Sequence, residues 1–364
     1  MIIDFANLQK DYQLHKSEID NAIQNVLNKS NYIMGEDVSL LEKELEDFSG
    51  AKYAVSCSSG TDALILAMMA IDIKPGDEII TTPFTFIATA ETIAFLKAKP
   101  VFVDIDEKTY NIDVTKIEEK ITSKTKAIIP VSLFGQIADM DKINEIANKY
   151  NLTVIEDGAQ SFGATYKGKK SCNLSKLATT SFFPAKPLGC FGDGGAVFTD
   201  NYELAEKIKS LRLHGQSKRY YHKYIGIGGR LDTIQATVLR IKLKYFNENI
   251  KLRNKVVELY NTLSSRASDI VLPFIEDYNT STYAQYSIRV KNRDKLQLKL
   301  KENGIPTAVH YPIPLHLQEA FRYLGYKKGD FPVAEMISNE IMSLPMNPYL
   351  SNDEIGFICG KILK

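Results

Sequence analysis

The sequence predicts an α/β fold in which helices cover a mixed, mainly parallel sheet of seven strands, followed by a smaller α/β unit. Short apolar, β-branched runs alternate with helix-period segments through roughly the first two thirds of the 364 residues. In these runs both the odd and the even positions are apolar, which is typical of strands that are buried on both faces. The pattern changes after about residue 240. We therefore expect a large domain over residues 1–240 and a small C-terminal domain over residues 241–364.

The elements follow in order along the chain. The strand candidates are KYAVSC, DEIITT, PVFVDI, AIIPVSLF, TVIED, ATTSFFP and GAVFTD. The helix-period segments are TDALILAMMAID, ATAETIAFLK, MDKINEIANKY and YELAEKIKSLR. The charged segment over residues 238–263 predicts one long helix, and STYAQYSIRV and TAVHYPI predict strands of the small domain.

Composition excludes several classes of function. Lys and Arg number 45 against 44 Asp and Glu, a net charge of +1, so no global field attracts nucleic acid or a membrane surface. The four cysteines are Cys57, Cys172, Cys190 and Cys359. Because none of them has CxxC spacing, a disulfide framework and a zinc site are not expected. The N-terminal residues have no basic segment before an apolar run, and no stretch approaches a membrane span. We expect a reduced, cytoplasmic protein without a metal site.

Lys186 and Asp157 form the most informative pair, 29 residues apart. Lys186 lies among phenylalanines and prolines, where an amine has the lowered pKa that a nucleophile requires and can form a Schiff base with an aldehyde. Asp157 ends an apolar strand, where a carboxylate needs a cationic partner such as a protonated pyridine nitrogen. The pair predicts pyridoxal 5′-phosphate (PLP), whose protonated ring accepts electrons. The alternatives are a surface lysine at 186, and helix capping or metal ligation at 157.

A phosphate site is predicted where Gly60 and Thr61 follow a strand and open a helix. Free N–H groups and the helix dipole favour an anion there. Ser181, at the end of another strand, would add a hydroxyl donor. Taken alone, the segment is better explained as an ordinary helix N-cap by Thr61 or Asp62.

Phe86 and Gln160 complete the predicted cofactor site. Phe86 lies between a strand and a helix, where a flat ring would stack on the pyridine face. Gln160, three residues after Asp157, would reach the phenolic oxygen of the same ring. For Phe86 the alternative is an ordinary place in the hydrophobic core.

Across nearly its whole length the chain resembles the DegT/DnrJ/EryC1/StrS family of nucleotide-sugar aminotransferases. The motifs that carry the resemblance are GTDAL, TPFTFIATAE, PVFVDID, AIIPVSLFGQ, IEDGAQSFGA, SFFPAKPLGCFGDGGA, RLDTIQA and AVHYPIPL. Within the family, SCNLS and YAQYSIRV add similarity to the UDP-2-acetamido-2-deoxy-3-oxo-D-glucuronate aminotransferases. Those enzymes act in the synthesis of bacterial surface polysaccharides.

The resemblance implies a type I PLP-dependent aminotransferase fold and a homodimer with active sites at the subunit interface. It also implies transfer of the amino group of L-glutamate to a keto-sugar nucleotide, with Lys186 and Asp157 as catalytic residues. The implied cofactor contacts are those of Gly60, Thr61, Phe86, Asp157, Gln160, Ser181 and Lys186. The residues implied to face the sugar nucleotide are Arg230, His310 and Tyr311.

Some alternatives stay open. Arg230 would otherwise form a salt bridge with Asp232, and His310 and Tyr311 would otherwise be ordinary strand residues. The acceptor could be a dTDP- or UDP-linked 3- or 4-keto-6-deoxyhexose. More remote functions are a catalytically idle binding protein and a sugar dehydratase, in whose branch histidine replaces the lysine.

Two positions depart from the family pattern. Gly228 stands where related sequences have an asparagine that reaches the partner subunit's cofactor phosphate, and Ala185 replaces a frequent serine.

Overall fold

The computed structural model describes residues 3–265 and 269–363. The helices are α1 (Leu8–Lys29), α2 (Glu36–Ser49), α3 (Gly60–Ala70), α4 (Ala88–Phe95), α5 (Met140–Lys149), α6 (Tyr202–Leu211), α7 (Thr233–Asn261), α8 (Arg293–Glu302), α9 (Pro332–Glu340) and α10 (Asn352–Leu363). The strands are β1 (Tyr53–Cys57), β2 (Glu78–Thr81), β3 (Lys99–Phe102), β4 (Thr125–Ile128), β5 (Thr153–Asp157), β6 (Thr165–Tyr166), β7 (Lys169–Lys170), β8 (Leu177–Ser181), β9 (Gly195–Thr199), β10 (Gln216–Lys218), β11 (Tyr221–His222), β12 (Ile270–Val271), β13 (Tyr286–Val290) and β14 (Ile341–Leu344).

A seven-stranded sheet, in the order β1-β9-β8-β5-β4-β2-β3, forms the centre of the molecule. Strand β9 runs antiparallel to both of its neighbours, and the remaining pairs are parallel. The α/β class and the mainly parallel seven-stranded sheet predicted from the sequence are therefore confirmed. Parallel strands end at the same edge, so the side chains that follow β5 and β8 lie close together.

Helices bury both faces of this sheet. Neighbouring residues of one strand point to opposite sides, so Val55 packs against α3 and α6 while Ala54 packs against α2 and α7. Helix α3 is apolar around its circumference, and Leu66 at its centre is fully buried. This explains why the strand runs are apolar at every position.

The C-terminal unit has its own sheet, β12-β13-β14, and its own hydrophobic core. Helix α7 joins the two cores, since Phe246 packs with the large sheet whereas Tyr260 packs with the small one. The predicted boundary near residue 240 falls inside this helix, and the division into two domains stays a prediction. Within the described residues, no helix combines the length and the apolarity needed to cross a bilayer.

Two segments differ from the predicted strands, and proline accounts for both. Strand β4 ends at Ile128, but the Ile129 N–H still donates to Ile80, and Val131 pairs with Asp157 through an isolated bridge. Between them Pro130 has no N–H to donate, which interrupts the regular ladder. The segment TAVHYPI is irregular and pairs only through a bridge between Ala308 and Ser343. Pro312 within it has no N–H to donate to a neighbouring strand. Strand β13 pairs with β14, which the sequence analysis did not predict.

Gly135 provides a test of how the two units fit together. Its φ is +115°, and a Cβ there would lie 2.6 Å from the backbone nitrogen of Tyr283. We expect Gly135→Ala to lower the free energy of unfolding by about 2–4 kcal/mol, since backbone strain adds to the clash. Urea denaturation would measure the loss. Gly76→Ala is the control, because its φ is +88° with no atom within 4 Å. An equal loss in both variants would show that the contact with Tyr283 contributes nothing.

Candidate active site

A cavity of about 490 Å³ opens at the edge of the large sheet where β5 and β8 end. The predicted site residues that line it are Gly60, Thr61, Phe86, Asp157, Gln160, Ser181, Lys186, His310 and Tyr311. They come from both units of the fold, yet they surround one space. Arg230 is the predicted site residue that does not line this cavity.

Asp157, the last residue of β5, is a buried carboxylate at the base of the cavity. Its Oδ2 accepts a hydrogen bond from the Thr89 hydroxyl at 2.9 Å, and its Oδ1 accepts one from the Ala159 N–H at 3.2 Å. Burial raises the pKa of Asp157, while these two bonds and the charge of Lys186 oppose the rise. Among the described residues Asp157 has no ion-pair partner, so a cationic ring nitrogen in the cavity would stabilise its charge.

Lys186 lies in the loop after β8, where its backbone N–H donates to the Phe183 carbonyl at 2.8 Å. The residue as a whole is half-buried, but its amine is surrounded by protein. Burial lowers the pKa of Lys186, and the negative charge of Asp157 only partly opposes this. A larger fraction of the amine is therefore neutral and nucleophilic near neutral pH.

The N-terminus of α3 and the end of β8 meet at one side of the cavity. A Cβ on Gly60 would lie 2.6 Å from the Cβ of Ser181, so only glycine permits this approach. Ser59, rather than Thr61 or Asp62, caps the helix by accepting the Asp62 N–H at 3.0 Å. The hydroxyl of Thr61 and the first N–H groups of α3 are thus left for an anion.

Residues of both units form the opposite side of the cavity. Gln160 accepts the Phe134 N–H at 2.9 Å and donates to the Tyr311 hydroxyl at 3.2 Å. The Nδ1 atom of His310 lies 2.9 Å from the Ser343 hydroxyl. Burial and the nearby charge of Lys186 lower the pKa of His310 to about 4, so its ring is neutral at neutral pH.

Phe86 is not a core residue. Its side chain is 55% exposed at the cavity, whereas Phe84, two residues earlier, is fully buried. The ring centroid of Phe86 lies 6.3 Å from that of Tyr311. The aromatic face is therefore available to stack on a ligand, as the sequence analysis expected.

The polar cavity residues that sequence reasoning missed include Thr85, Thr89 and Gln285. The hydroxyls of Thr85 and Thr89 lie 3.1 Å apart, and Thr89 continues to Asp157. Thr85 lies in the bend before α4 and Thr89 in its first turn, so helical periodicity in TPFTFIATAE did not reveal the pair. Gln285 carried no signal, because it precedes a strand far along the chain.

Arg230 lies outside the cavity, in the loop before α7. The neighbouring carbonyl of Gly229 accepts the Ser58 N–H at 3.1 Å, so the loop runs beside the segment that leads into α3. In the described part of the chain Arg230 forms no ion pair with Asp232. A Cβ on Gly228 would lie 3.1 Å from the His214 ring, so a larger residue there would need that ring to shift.

A second acid, Glu156, is fully buried directly before Asp157. It accepts hydrogen bonds from the Ser171 hydroxyl at 2.7 Å and from the Cys172 N–H at 3.0 Å. Burial raises the pKa of Glu156 to about 7. Residues 3–265 and 269–363 contain no cluster of three or more His, Cys, Asp or Glu side chains that could hold a metal ion.

Thr89 should determine how well Asp157 holds a cationic ring. We expect Thr89→Val to weaken PLP binding about tenfold, because the buried carboxylate loses a donor that supports its charged form. Equilibrium dialysis of the cofactor would measure this. Thr89→Ser keeps the hydroxyl and is the matched control. Similar binding by the valine and serine variants would refute the role assigned to this hydrogen bond.

Comparison with known proteins identifies the family. The sequence profile of the DegT/DnrJ/EryC1/StrS aminotransferase family matches residues 13–363. The chain is 54% identical to the UDP-2-acetamido-2-deoxy-3-oxo-D-glucuronate aminotransferase of Pseudomonas aeruginosa, over 99% of both chains. A crystal structure of S. venezuelae DesV in complex with a ketimine intermediate superimposes with a TM-score of 0.97 at 35% identity, covering 100% of this chain and 98% of that one. The structure of ntda from Bacillus subtilis with bound cofactor pmp superimposes with a TM-score of 0.89 at 30% identity, covering 99% and 84%. The chain therefore belongs to the DegT/DnrJ/EryC1/StrS aminotransferase family.

Proposed function

We propose that this nucleotide-sugar aminotransferase transfers the amino group of L-glutamate to UDP-2-acetamido-2-deoxy-3-oxo-D-glucuronate, for the synthesis of a bacterial surface polysaccharide. The observation that carries the chemistry is that Lys186 and Asp157 line the same cavity. The choice of acceptor is supported by the 54% identity to an enzyme named for that sugar. A cytoplasmic location stays a prediction from the sequence.

The residues of the cavity fit PLP, the cofactor of this family. The cavity combines a buried carboxylate that has no ion-pair partner among the described residues, an amine with a lowered pKa and free N–H groups at a helix N-terminus. When bound, PLP supplies an aldehyde carbon and an electron-accepting ring. We assign Asp157 to its pyridine nitrogen, Phe86 to its face and Gln160 to its phenolic oxygen.

The remaining cofactor group is the phosphate, which we assign to Gly60, Thr61 and Ser181. The close approach of Gly60 to Ser181 brings the N-terminus of α3 and the end of β8 to one proposed anion site. Gly228 cannot supply the asparagine side chain that related sequences usually have there, so backbone N–H groups or water would replace it, or the phosphate would be bound less tightly.

Lys186 has two tasks in the proposed reaction. Its amine would hold the cofactor through the aldehyde, and once L-glutamate has displaced it, the free amine would take the α-proton of that substrate. In the second half-reaction it delivers a proton to the sugar carbon, which fixes the configuration of the new amine. Burial lowers the pKa of Lys186, which increases the fraction of neutral amine that can take a proton.

His310, Tyr311 and Arg230 are the proposed contacts to the sugar nucleotide. His310 and Tyr311 border the cavity, and the neutral ring of His310 suits a hydroxyl or carbonyl group. Arg230 lies outside the cavity of its own chain. We therefore propose a homodimer in which Arg230 of each subunit enters the partner's cavity, where its guanidinium would bind the sugar carboxylate.

The acceptor can be tested from the pyridoxamine form of the enzyme. We expect UDP-2-acetamido-2-deoxy-3-oxo-D-glucuronate to restore the aldehyde absorbance, with the amino sugar detected by mass spectrometry. Lys186→Ala should show no such turnover. If dTDP- or UDP-linked 3- or 4-keto-6-deoxyhexoses react faster than the glucuronate, the proposed acceptor is wrong.

The shared site can be tested by mixing two inactive dimers. Lys186→Ala and Arg230→Ala should each abolish turnover of the glucuronate acceptor, while Arg230→Ala spares the half-reaction with L-glutamate. After subunit exchange we expect about a quarter of wild-type activity, since half of the dimers then carry one intact site. Steady-state rates before and after exchange provide the measurement. If mixed dimers are formed but activity is not regained, Lys186 and Arg230 act in the site of the same subunit.

A further inference from the structure

Gln285 occupies a position that the assigned cofactor and substrate contacts do not use. It directly precedes β13, the central strand of the C-terminal sheet. Its side chain borders the large cavity together with His310 and Tyr311, and it also borders a neighbouring cavity of about 20 Å³. The residue therefore stands in the wall of the candidate active site on the side of the C-terminal unit.

The two faces of β13 have different roles. Tyr286, Ile288 and Val290 pack in the core of the C-terminal unit. Residues two apart in a strand share a face, so Gln285, Ser287 and Arg289 form the other, polar face. This polar face leads along the strand to the active-site cavity.

Two members of the polar face, Ser287 and Arg289, have partners. Arg289 forms ion pairs with Glu107 and Glu340, each at 3.1 Å. The hydroxyl of Ser287 lies 2.9 Å from that of Ser343, which in turn lies 2.9 Å from Nδ1 of His310. The strand thus already supports one proposed substrate contact through hydrogen bonds.

Gln285 is the exception on this face, because its Oε1 is buried and has no hydrogen-bond partner. Within the described residues, the other buried side-chain atoms without partners belong to residues that do not line the cavity. An unpaired buried oxygen is unfavourable, and a donor from a ligand would remove the penalty.

We propose that Gln285 is a specificity-determining residue whose carboxamide oxygen accepts a hydrogen bond from a hydroxyl or amide N–H of the sugar-nucleotide substrate. This inference rests on the proposed function. L-glutamate presents two carboxylates, which only accept hydrogen bonds once its amine is engaged at the cofactor. The amino-sugar nucleotide presents hydroxyls and an acetamido N–H, which donate. The acceptor oxygen of Gln285 therefore matches the sugar and not the amino donor.

The test uses the reverse half-reaction of the PLP form with UDP-2-acetamido-3-amino-2,3-dideoxy-D-glucuronate. Gln285→Met keeps the shape of the side chain and removes the acceptor, whereas Gln285→Glu keeps an oxygen. We expect the methionine variant to lose about tenfold in kcat/KM, mainly through KM, with the glutamate half-reaction changed less than about twofold. Gln285→Glu should retain more activity than Gln285→Met. Gln297→Met is the matched control, because Gln297 bonds to Thr307 away from the cavity.

Calorimetric binding of the same amino-sugar nucleotide to borohydride-reduced holoenzyme gives a readout that is independent of turnover. Weaker binding by Gln285→Met, at an unchanged melting temperature, supports the proposal. Equal binding by the methionine variant and the wild type overturns it, and would indicate that water in the small cavity pairs with Oε1. Equal losses in both half-reactions also overturn it. If the wild-type enzyme does not react with this amine, the proposed function fails and not merely the role of Gln285.

Discussion

The burial of the Asp157 carboxylate at the end of a parallel strand is the constraint on which the rest of the site depends. A charged oxygen in this position is unfavourable unless donors or a cation surround it. The protein supplies Thr89 and the Ala159 N–H but no ion-pair partner among the described residues. The carboxylate therefore suits the proposed cationic ring. Burial in the same space lowers the pKa of Lys186, which makes its amine a better nucleophile.

The sheet topology explains how residues distant in sequence reach this carboxylate. β5 and β8 are adjacent and parallel, so Asp157 and Ser181 emerge at one edge. Helix α3 then approaches Ser181 closely because position 60 has no side chain. The C-terminal unit closes the opposite side with His310 and Tyr311, and the Tyr311 hydroxyl accepts a hydrogen bond from Gln160, three residues after β5. The cavity is thus a product of tertiary packing between two units.

Much of this arrangement could be predicted from sequence, for physical reasons. The seven strands have a continuous apolar pattern, and Lys186 and Asp157 lie in contexts where an exposed charge is unexpected. The segment TAVHYPI was predicted as a strand because its composition suits one, but Pro312 has no N–H to donate in pairing. Ser59 caps α3 in place of Thr61 or Asp62, a difference of two or three residues that pattern alone does not resolve. Gln285 depends on a contact between units, which no local pattern encodes.

Helix α7 spans 29 residues and contributes side chains to both hydrophobic cores. A hinge between the two units would need a break in this helix, but α7 is continuous from Thr233 to Asn261. Large opening motions would bend many hydrogen-bonded turns together. Bulky substrates should accordingly enter through the existing mouth of the pocket, and adjustment should come from mobile side chains such as the exposed Phe86 rather than from swinging domains.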